Sequence, residues 1–480
     1  MNLLRLPAGT LVLAVLAASC THDARRLIGP DRGPSFSGVA SNSQGSGWTD
    51  ADDYVIEYAG SGAQVAAAVA AAGGHVVRIH PEVNVATVDG LSAAGAAQLA
   101  RAPTVRSVTR DVLMQFVPSV ESAHFQLAVD PGVAAVSPAT TLDPSRAVGF
   151  QQLQWNMRAI HANQAWPTGI QGQGARVAIL DTGIDDTHPE LTGCVDRTLS
   201  TAIVRNQNAA ADGFPPWGDD NLHGTLVASQ ICTNALVLAS IAPQAKLIAV
   251  KVLSKTGSGT FGGIIRGVLY AANLRVNVIN MSLAAYVPRN EDRLGRLNAL
   301  LAKVDNYAAS KGVLVVAAVG NEGVNLDSDR NMIVIPAQSG STMGISATGP
   351  IGQANFDQLA VYSNFGRSGA AVAAPGGNFL PDGNVATVRD FVAGPCSRQT
   401  LDPRFADCRS ELSYVFAVGT SAAAPHAAGV AALISSRFGN GLTAGQLRTR
   451  LEQSADDLGK PGVDLFYSHG RINAFRAVTQ

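Results

Sequence analysis

The chain has 480 residues, 46% hydrophobic and only 15% charged, which allows ample core and excludes a disordered polymer. Its formal net charge of −1 gives no electrostatic case for nucleic acid as a partner. The 49 glycines forecast tight turns and close backbone approaches.

In chain order, the first feature is a targeting segment. Arg5 precedes the apolar run Leu11–Ala18, and Ser19-Cys20 follows. That run is too short to span a bilayer comfortably, with a basic front and small residues behind it. Residues 1–20 resemble a secretory signal peptide. Small residues ending in cysteine also resemble a bacterial lipobox, in which Cys20 becomes the lipidated N-terminus, although Ala17 stands where leucine is usual. Residues 21–50, rich in Gly, Ser, Asp and Pro, read as a flexible tether. The expected destination is secretion or the cell envelope, with the membrane reached only through a lipid on Cys20. No later segment is a transmembrane candidate. Export permits disulfides. With Cys20 lipidated, four cysteines remain, and three connectivities are possible. Cys396 and Cys408 flank a short polar loop and form the favoured pair, which leaves Cys194 for Cys232. Cys232 alternatively reads as a small buried hydrophobe. No Cys or His spacing suggests zinc.

Residues 51–117 change texture. Predicted elements are a strand at Tyr54–Tyr58, a helix at Gln64–Ala72, and a strand pair across 75–88 broken at Pro81-Glu82. A second helix at Ser92–Arg101 and a strand at Val105–Leu113 complete the series. That β-α-β-β-α-β order is a ferredoxin-like plait, a fold too common to prove a function. With its closing pattern Val105-Arg106-Ser107-Val108-Thr109-Arg110-Asp111, it resembles the inhibitory propeptide of subtilisin-type proteases. Residues 118–149 show no clear periodicity and read as a linker.

From residue 150 to 480, short and nearly continuous apolar runs alternate with helical stretches such as Ile264–Ala272. The runs are Val177–Leu180, Leu247–Val250, Val276–Met281 and Val313–Val319. Such runs argue for an α/β domain whose parallel sheet is buried on both faces. In that architecture the site gathers beyond the C-terminal ends of strands.

Four motifs fall at such positions. Asp181-Thr182-Gly183 ends the first run, where a carboxylate can orient an imidazole or simply cap a turn. His223 opens a helix in Asn221-Leu222-His223-Gly224-Thr225, and its ordinary pKa suits a general base. Gly320-Asn321-Glu322-Gly323 follows the fourth run; the Asn amide can donate to an oxyanion, or the segment can be a plain turn. Gly419-Thr420-Ser421 stands between the strand-like run 414–418 and an alanine-rich helix. A serine there meets free N–H groups and the positive helix end, which suits a nucleophile as well as an N-cap. His426 reads as packing on that helix.

Together, Asp181, His223, Asn321 and Ser421 identify residues 150–480 as resembling the subtilisin family of serine proteases. The resemblance implies a serine endopeptidase hydrolysing protein or peptide substrates. Ser421 would be the nucleophile, His223 the base, Asp181 its orienting partner and Asn321 an oxyanion donor. It further implies a substrate strand lying between Gly257-Ser258-Gly259 and the segment at Ser282, with pockets lined by Leu283, Ala284, Ala317, Ala318 and Gly320. The plait would act as the chain's own inhibitor, cleaved off between about Gln115 and Phe150, and the enzyme would work as a monomer.

Some positions depart from the family pattern. Ala284 stands where glycine is usual, which narrows the first pocket. Ala422 replaces the usual methionine after the nucleophile, which implies lower sensitivity to peroxide. The chemistry needs no cofactor. The loop Thr233–Ile241 is two residues short of the family's common calcium-binding form. Glu190 is the acidic ligand left there, so a structural calcium is allowed but not indicated. The alternative from another class is a catalytically silent, subtilisin-like peptide-binding protein. An aspartic protease would need a second Asp-Thr-Gly or Asp-Ser-Gly motif, which the sequence lacks. An α/β-hydrolase esterase would need Gly-x-Ser-x-Gly and the order Ser, Asp, His, and neither occurs around Ser421.

Overall fold

The computed structural model describes residues 48–117, 125–128, 143–204, 209–409 and 412–480. The expected signal peptide, Cys20 and most of the tether lie outside the described residues.

The first unit runs β1 (Trp48–Tyr58), α1 (Gly62–Ala71), β2 (His75–His80), β3 (Val85–Asp89), α2 (Ala93–Leu99) and β4 (Val105–Gln115). Its strands pair antiparallel in the order β2-β3-β1-β4, the order of a ferredoxin-like plait. Ser61 and Gln64 form a capping box that starts α1. Alternation along β1 divides its side chains between two cores. Tyr54, Ile56 and Tyr58 pack beneath the plait's own helices with Val65, Val69 and Leu99. Val55 faces the other way and joins Val85, Val112, Met114 and Phe116 in a core shared with the larger unit.

Two expectations change here. β1 begins at Trp48, inside the expected tether, because Trp48 and Asp50 pair with Met114 and Val112 of β4. Within the expected linker, Phe125–Ala128 forms strand β5, and Pro144–Arg146 a single 3-10 turn capped by Asp143.

The larger unit is an α/β domain. Its main sheet is built from β6 (Arg176–Asp181), β7 (Thr201–Ala202), β8 (Lys246–Lys251), β10 (Val278–Met281), β12 (Leu314–Ala318), β14 (Met343–Thr348) and β15 (Val372–Pro375). All seven are parallel, in the order β15-β14-β12-β10-β6-β8-β7. Burial on both faces explains the continuous apolar runs. Along β12, Leu314, Val316 and Ala318 enter one core layer, and Val315 and Ala317 enter the other. The principal helices are α3 (His223–Ile231), α4 (Phe261–Asn273), α5 (Asp292–Ser310), α6 (Thr420–Phe438), α7 (Ala444–Gln453) and α8 (Ala474–Thr479). The small side chains of α6 let most of it, from Ala422 to Ser435, lie buried against β10, β12, β14 and β15.

Two smaller pairings matter for the site. Strand β9 (Ser258–Thr260) is an outer strand on which β4 lies antiparallel, so the two units share one five-stranded sheet. Strands β16 (Val392–Pro395) and β17 (Ser413–Ala417) pair antiparallel, and β5 adds to the free edge of β17. A further pair, β11 (Ala285–Pro288) with β13 (Met332–Ile335), is antiparallel.

Candidate active site

The parallel strands end at the candidate residues. Asp181 is the last residue of β6, His223 the first of α3, and Asn321 lies three residues beyond β12. Ser421 is the second residue of α6. The sheet thus delivers four positions, far apart in sequence, to its C-terminal rim.

Asp181 is fully buried, and its Oδ1 accepts a hydrogen bond from Thr182 N–H at 2.7 Å. The same oxygen lies 2.8 Å from His223 Nδ1. An ionised carboxylate only accepts, so Nδ1 carries the proton and Nε2 is left as the basic nitrogen. Asp219 ties the turn after Asp181 to the helix that begins at His223. That buried carboxylate accepts from Thr182 Oγ1 at 2.8 Å, from Thr225 N–H at 2.8 Å and from Thr225 Oγ1 at 2.6 Å. Thr182 follows Asp181, and Thr225 lies two residues past His223. Burial pushes the Asp219 carboxyl up to about 6, against the pull of Lys251 and its hydroxyl partners. Lys251 is itself buried and paired with Asp220 at 2.7 Å.

At the start of α6, Thr420 fixes the Asn321 amide. Its N–H and Oγ1 donate to Asn321 Oδ1 at 2.8 and 2.9 Å, which directs the Nδ2 end away from Thr420. Above Gly419, the point where a Cβ would stand lies 3.1 Å from Ser421 Oγ and 3.6 Å from Asn321 Nδ2. A hydroxyl and an amide donor therefore border one small volume. Ser421 N–H belongs to the unpaired first turn of α6 and has no hydrogen-bond acceptor among the described residues.

His223, Asn321, Thr420 and Ser421 line one cleft with Ser282, Leu283, Ala284, Ala318 and Gly320. Ala317 does not line it. Side chains alternate along β12, and Ala317 points into the core layer shared with Val315 and Val319. Gly257, Ser258 and Gly259 form the edge carrying the plait's last strand. Leu113, Met114 and Gln115 pair with Thr260, Gly259 and Ser258, and the N–H groups of Phe116 and Val117 donate to Gly257 O at 3.2 Å each. Gly257 has φ of +78°, and a Cβ there would stand 2.5 Å from Val117 O.

Sequence reading missed several residues. Phe116 and Val117 reach the cleft itself. Glu322 lines it too, with its carboxyl raised by burial and held by Asn364. The Gly-Thr-Ser and Gly-Asn-Glu motifs were the available signal for Thr420 and Glu322; nothing local marked Phe116.

The surrounding framework is fixed covalently. Cys194–Cys232 and Cys396–Cys408 are both disulfides, so Cys232 is not a free thiol. Glu190, the candidate metal ligand, accepts from the N–H groups of Leu236, Val237 and Leu238 at 3.2, 2.7 and 2.8 Å, and from the Tyr414 hydroxyl at 3.1 Å. Among the described residues, no group of three or more His, Cys, Asp or Glu side chains could hold a metal ion. His426 packs inside α6 as expected. Its Nδ1–H donates to Ala422 O and its Nε2 accepts from Asn156, each at 2.8 Å, and burial lowers its pKa to about 4.

Residues 172–470 match the subtilase family of peptidases. The chain belongs to the subtilase family. It is a serine endopeptidase. This subtilase is similar to thermitase from Thermoactinomyces vulgaris, with 31% identity over 332 residues, 68% of this chain and 97% of that one. It is also similar to subtilisin Savinase from Lederbergia lenta, with 32% identity over 326 residues, 68% of this chain and 98% of the relative. Among solved structures, the epidermin leader peptide processing serine protease of Staphylococcus aureus matches with a TM-score of 0.67. That match covers 90% of this subtilase and 98% of the other chain; at 21% identity it speaks to fold alone.

Proposed function

We propose that this subtilase is an exported endopeptidase made as a self-processing zymogen, with Ser421, His223, Asp181 and Asn321 as its catalytic residues. The observation that carries the reading is that His223, paired with the buried Asp181, lines the same cleft as Ser421 and Asn321. In it, Ser421 Oγ attacks the scissile carbonyl while His223 Nε2 takes its proton. The proton passes to the leaving amine, and water then repeats the sequence on the acyl-enzyme. Asp181 holds the Nδ1–H tautomer and offsets the imidazolium charge. Asn321 Nδ2 and Ser421 N–H donate to the developing oxyanion.

Peptide backbone added to β9 would be read mainly through main-chain hydrogen bonds, which favours broad tolerance of sequence. The small apolar lining at Leu283, Ala284 and Ala318 favours uncharged side chains. In the zymogen, the plait's own β4 occupies that edge, as a product-like inhibitor would. Self-cleavage then falls between Gln115 and Phe150, and Cys20 supplies a lipid tether after export.

The test is a Ser421→Ala variant expressed in a host lacking other proteases, alongside fluorophosphonate labelling of the wild type. The variant should accumulate as unprocessed protein after signal removal, and the wild type should be labelled. Normal maturation of the variant would exclude self-processing.

A further inference from the structure

The segment that carries His223 is gripped from outside the substrate cleft. Ser397 Oγ donates to Asp219 O at 2.6 Å, Asp219 N–H donates to Gln399 Oε1 at 3.0 Å, and Leu401 N–H donates to Asp220 O at 2.9 Å. The same short loop reaches the turn after Asp181: Arg398 N–H and Gln399 Nε2 donate to the Asp185 carboxylate at 2.7 and 3.0 Å. Residues 397–401 thus tie together the two segments whose side chains form the Asp181–His223 pair. Gly218 has no room for a side chain because Gln399 Oε1 lies 2.4 Å from the position of a Cβ.

The loop is closed by Cys396–Cys408, and both cysteines are fully buried. They form an apolar cluster with Phe405, Leu222 and Leu226. Leu222 directly precedes His223, and Leu226 lies one turn further along α3. A covalent ring of this size restricts how far residues 397–401 can move, and each of these polar contacts depends on their position.

We infer that the loop closed by Cys396–Cys408 is a positioning device for His223: the intact disulfide keeps the histidine segment in register with Asp181 and so sets the turnover rate, without forming part of the substrate site. None of residues 396–408 lines the cleft. Loss of the disulfide would free the loop, loosen residues 219–222 and misalign the imidazole, while the substrate edge at Gly257–Gly259 stays intact. A misplaced base slows the chemical step more than it weakens substrate binding. The inference rests on His223 being the general base.

The test compares wild type with two variants. Cys396→Ala with Cys408→Ala removes the bond, keeps the cluster apolar and leaves Cys194–Cys232 in place. Gln399→Ala keeps the bond and removes only the contacts to Asp219 and Asp185. Steady-state kinetics on a peptide substrate are measured below each variant's thermal midpoint, with the rate of fluorophosphonate labelling of Ser421. The double variant should lose about tenfold in kcat and in labelling rate, with KM within about twofold; Gln399→Ala should lose severalfold in the same pattern. If the double variant does not fold, Gln399→Ala decides. Folded variants with wild-type kcat and labelling rate, or with a change in KM alone, overturn the inference and leave the disulfide a stabilising staple. A wild type that neither turns over nor is labelled overturns the catalytic reading itself, and this inference with it.

Discussion

Asn321 illustrates how one side chain depends on another almost a hundred positions away. Thr420 holds its Oδ1 with two donors, and Thr420 Oγ1 in turn accepts from Gly320 N–H at 3.1 Å. Asn321→Ala should lower kcat by about 10²–10³-fold with little change in KM, a range known from a subtilisin rather than deduced from this geometry. Thr420→Val keeps the backbone donor but removes both hydroxyl bonds, each worth about 1 kcal/mol. Its kcat should fall about tenfold, and Thr420→Ser should restore most of it. An unchanged kcat in Thr420→Val would mean the amide needs no such hold. The motifs marked Asp181, His223, Asn321 and Ser421 as candidates at strand ends and helix starts, and the chain places all four there. They could not show what Thr420 and Asp219 hold, since Thr420 bonds to Asn321, 99 positions away, and Asp219 to Thr182, 37 positions away. Ala317 was misassigned for a simpler reason: both faces of β12 are apolar, so composition does not reveal which alanine faces the cleft.

Elements were legible where periodicity is strong. The plait's helices and inner strands and the parallel runs follow their apolar spacing. The start of β1 was hidden by Asp50, Asp52 and Asp53, which interrupt any apolar alternation before Tyr54; pairing with β4 and a 2.7 Å ion pair between Asp50 and Arg110 hold that stretch as strand. β5 was hidden because its partner β17 lies nearly 300 residues later, and no local pattern records such pairing. The N-terminus of α4 shows what an element can reveal about docking. Thr260 caps it, accepting from Gly263 N–H at 3.0 Å. A Cβ on Gly262 would meet Asp111 Oδ2 at 2.6 Å, Val55 at 3.3 Å and Thr87 at 3.4 Å, all of them plait atoms. Gly262→Ala should therefore weaken plait docking while leaving the catalytic unit intact, or more stable by up to about 1 kcal/mol through helix propensity. On the proposed zymogen reading, freshly folded Gly262→Ala protein should show a shorter lag before activity appears, with the processed enzyme's kcat/KM unchanged. An unaltered lag would show that the contact does not limit release.

At the scale of the whole molecule, the two units meet through the β4–β9 pairing, a shared apolar core, a few ion pairs toward the rim and one buried carboxylate. Lys303–Glu57 at 2.7 Å and Arg293–Asp50 at 2.6 Å lie toward the rim, where such pairs contribute little. Asp111 of β4 is buried, and its Oδ2 accepts from Gly262 N–H at 2.9 Å. Burial raises its carboxyl from 3.8 to about 6; the Val112 and Gly262 N–H groups and the Thr260 hydroxyl pull the other way, and Asp53 pushes it further up. The docked state thus holds a proton more firmly than a free carboxyl does. Docking is unpenalised below 3.8 and weakens as pH rises toward about 6, above which the cost of the buried charge is complete. The plait should accordingly sit most firmly in acid and loosen toward neutrality. Full-length Ser421→Ala protein keeps both units on one chain, so hydrogen exchange across β4 and the first turn of α4 can follow the interface. Protection, corrected for intrinsic exchange, should fall between about pH 4 and about pH 7. In a background carrying Asp111→Asn as well, where nothing titrates at that position, the same amides should show a flat profile. Equal slopes in the two proteins would place the pH dependence elsewhere than Asp111.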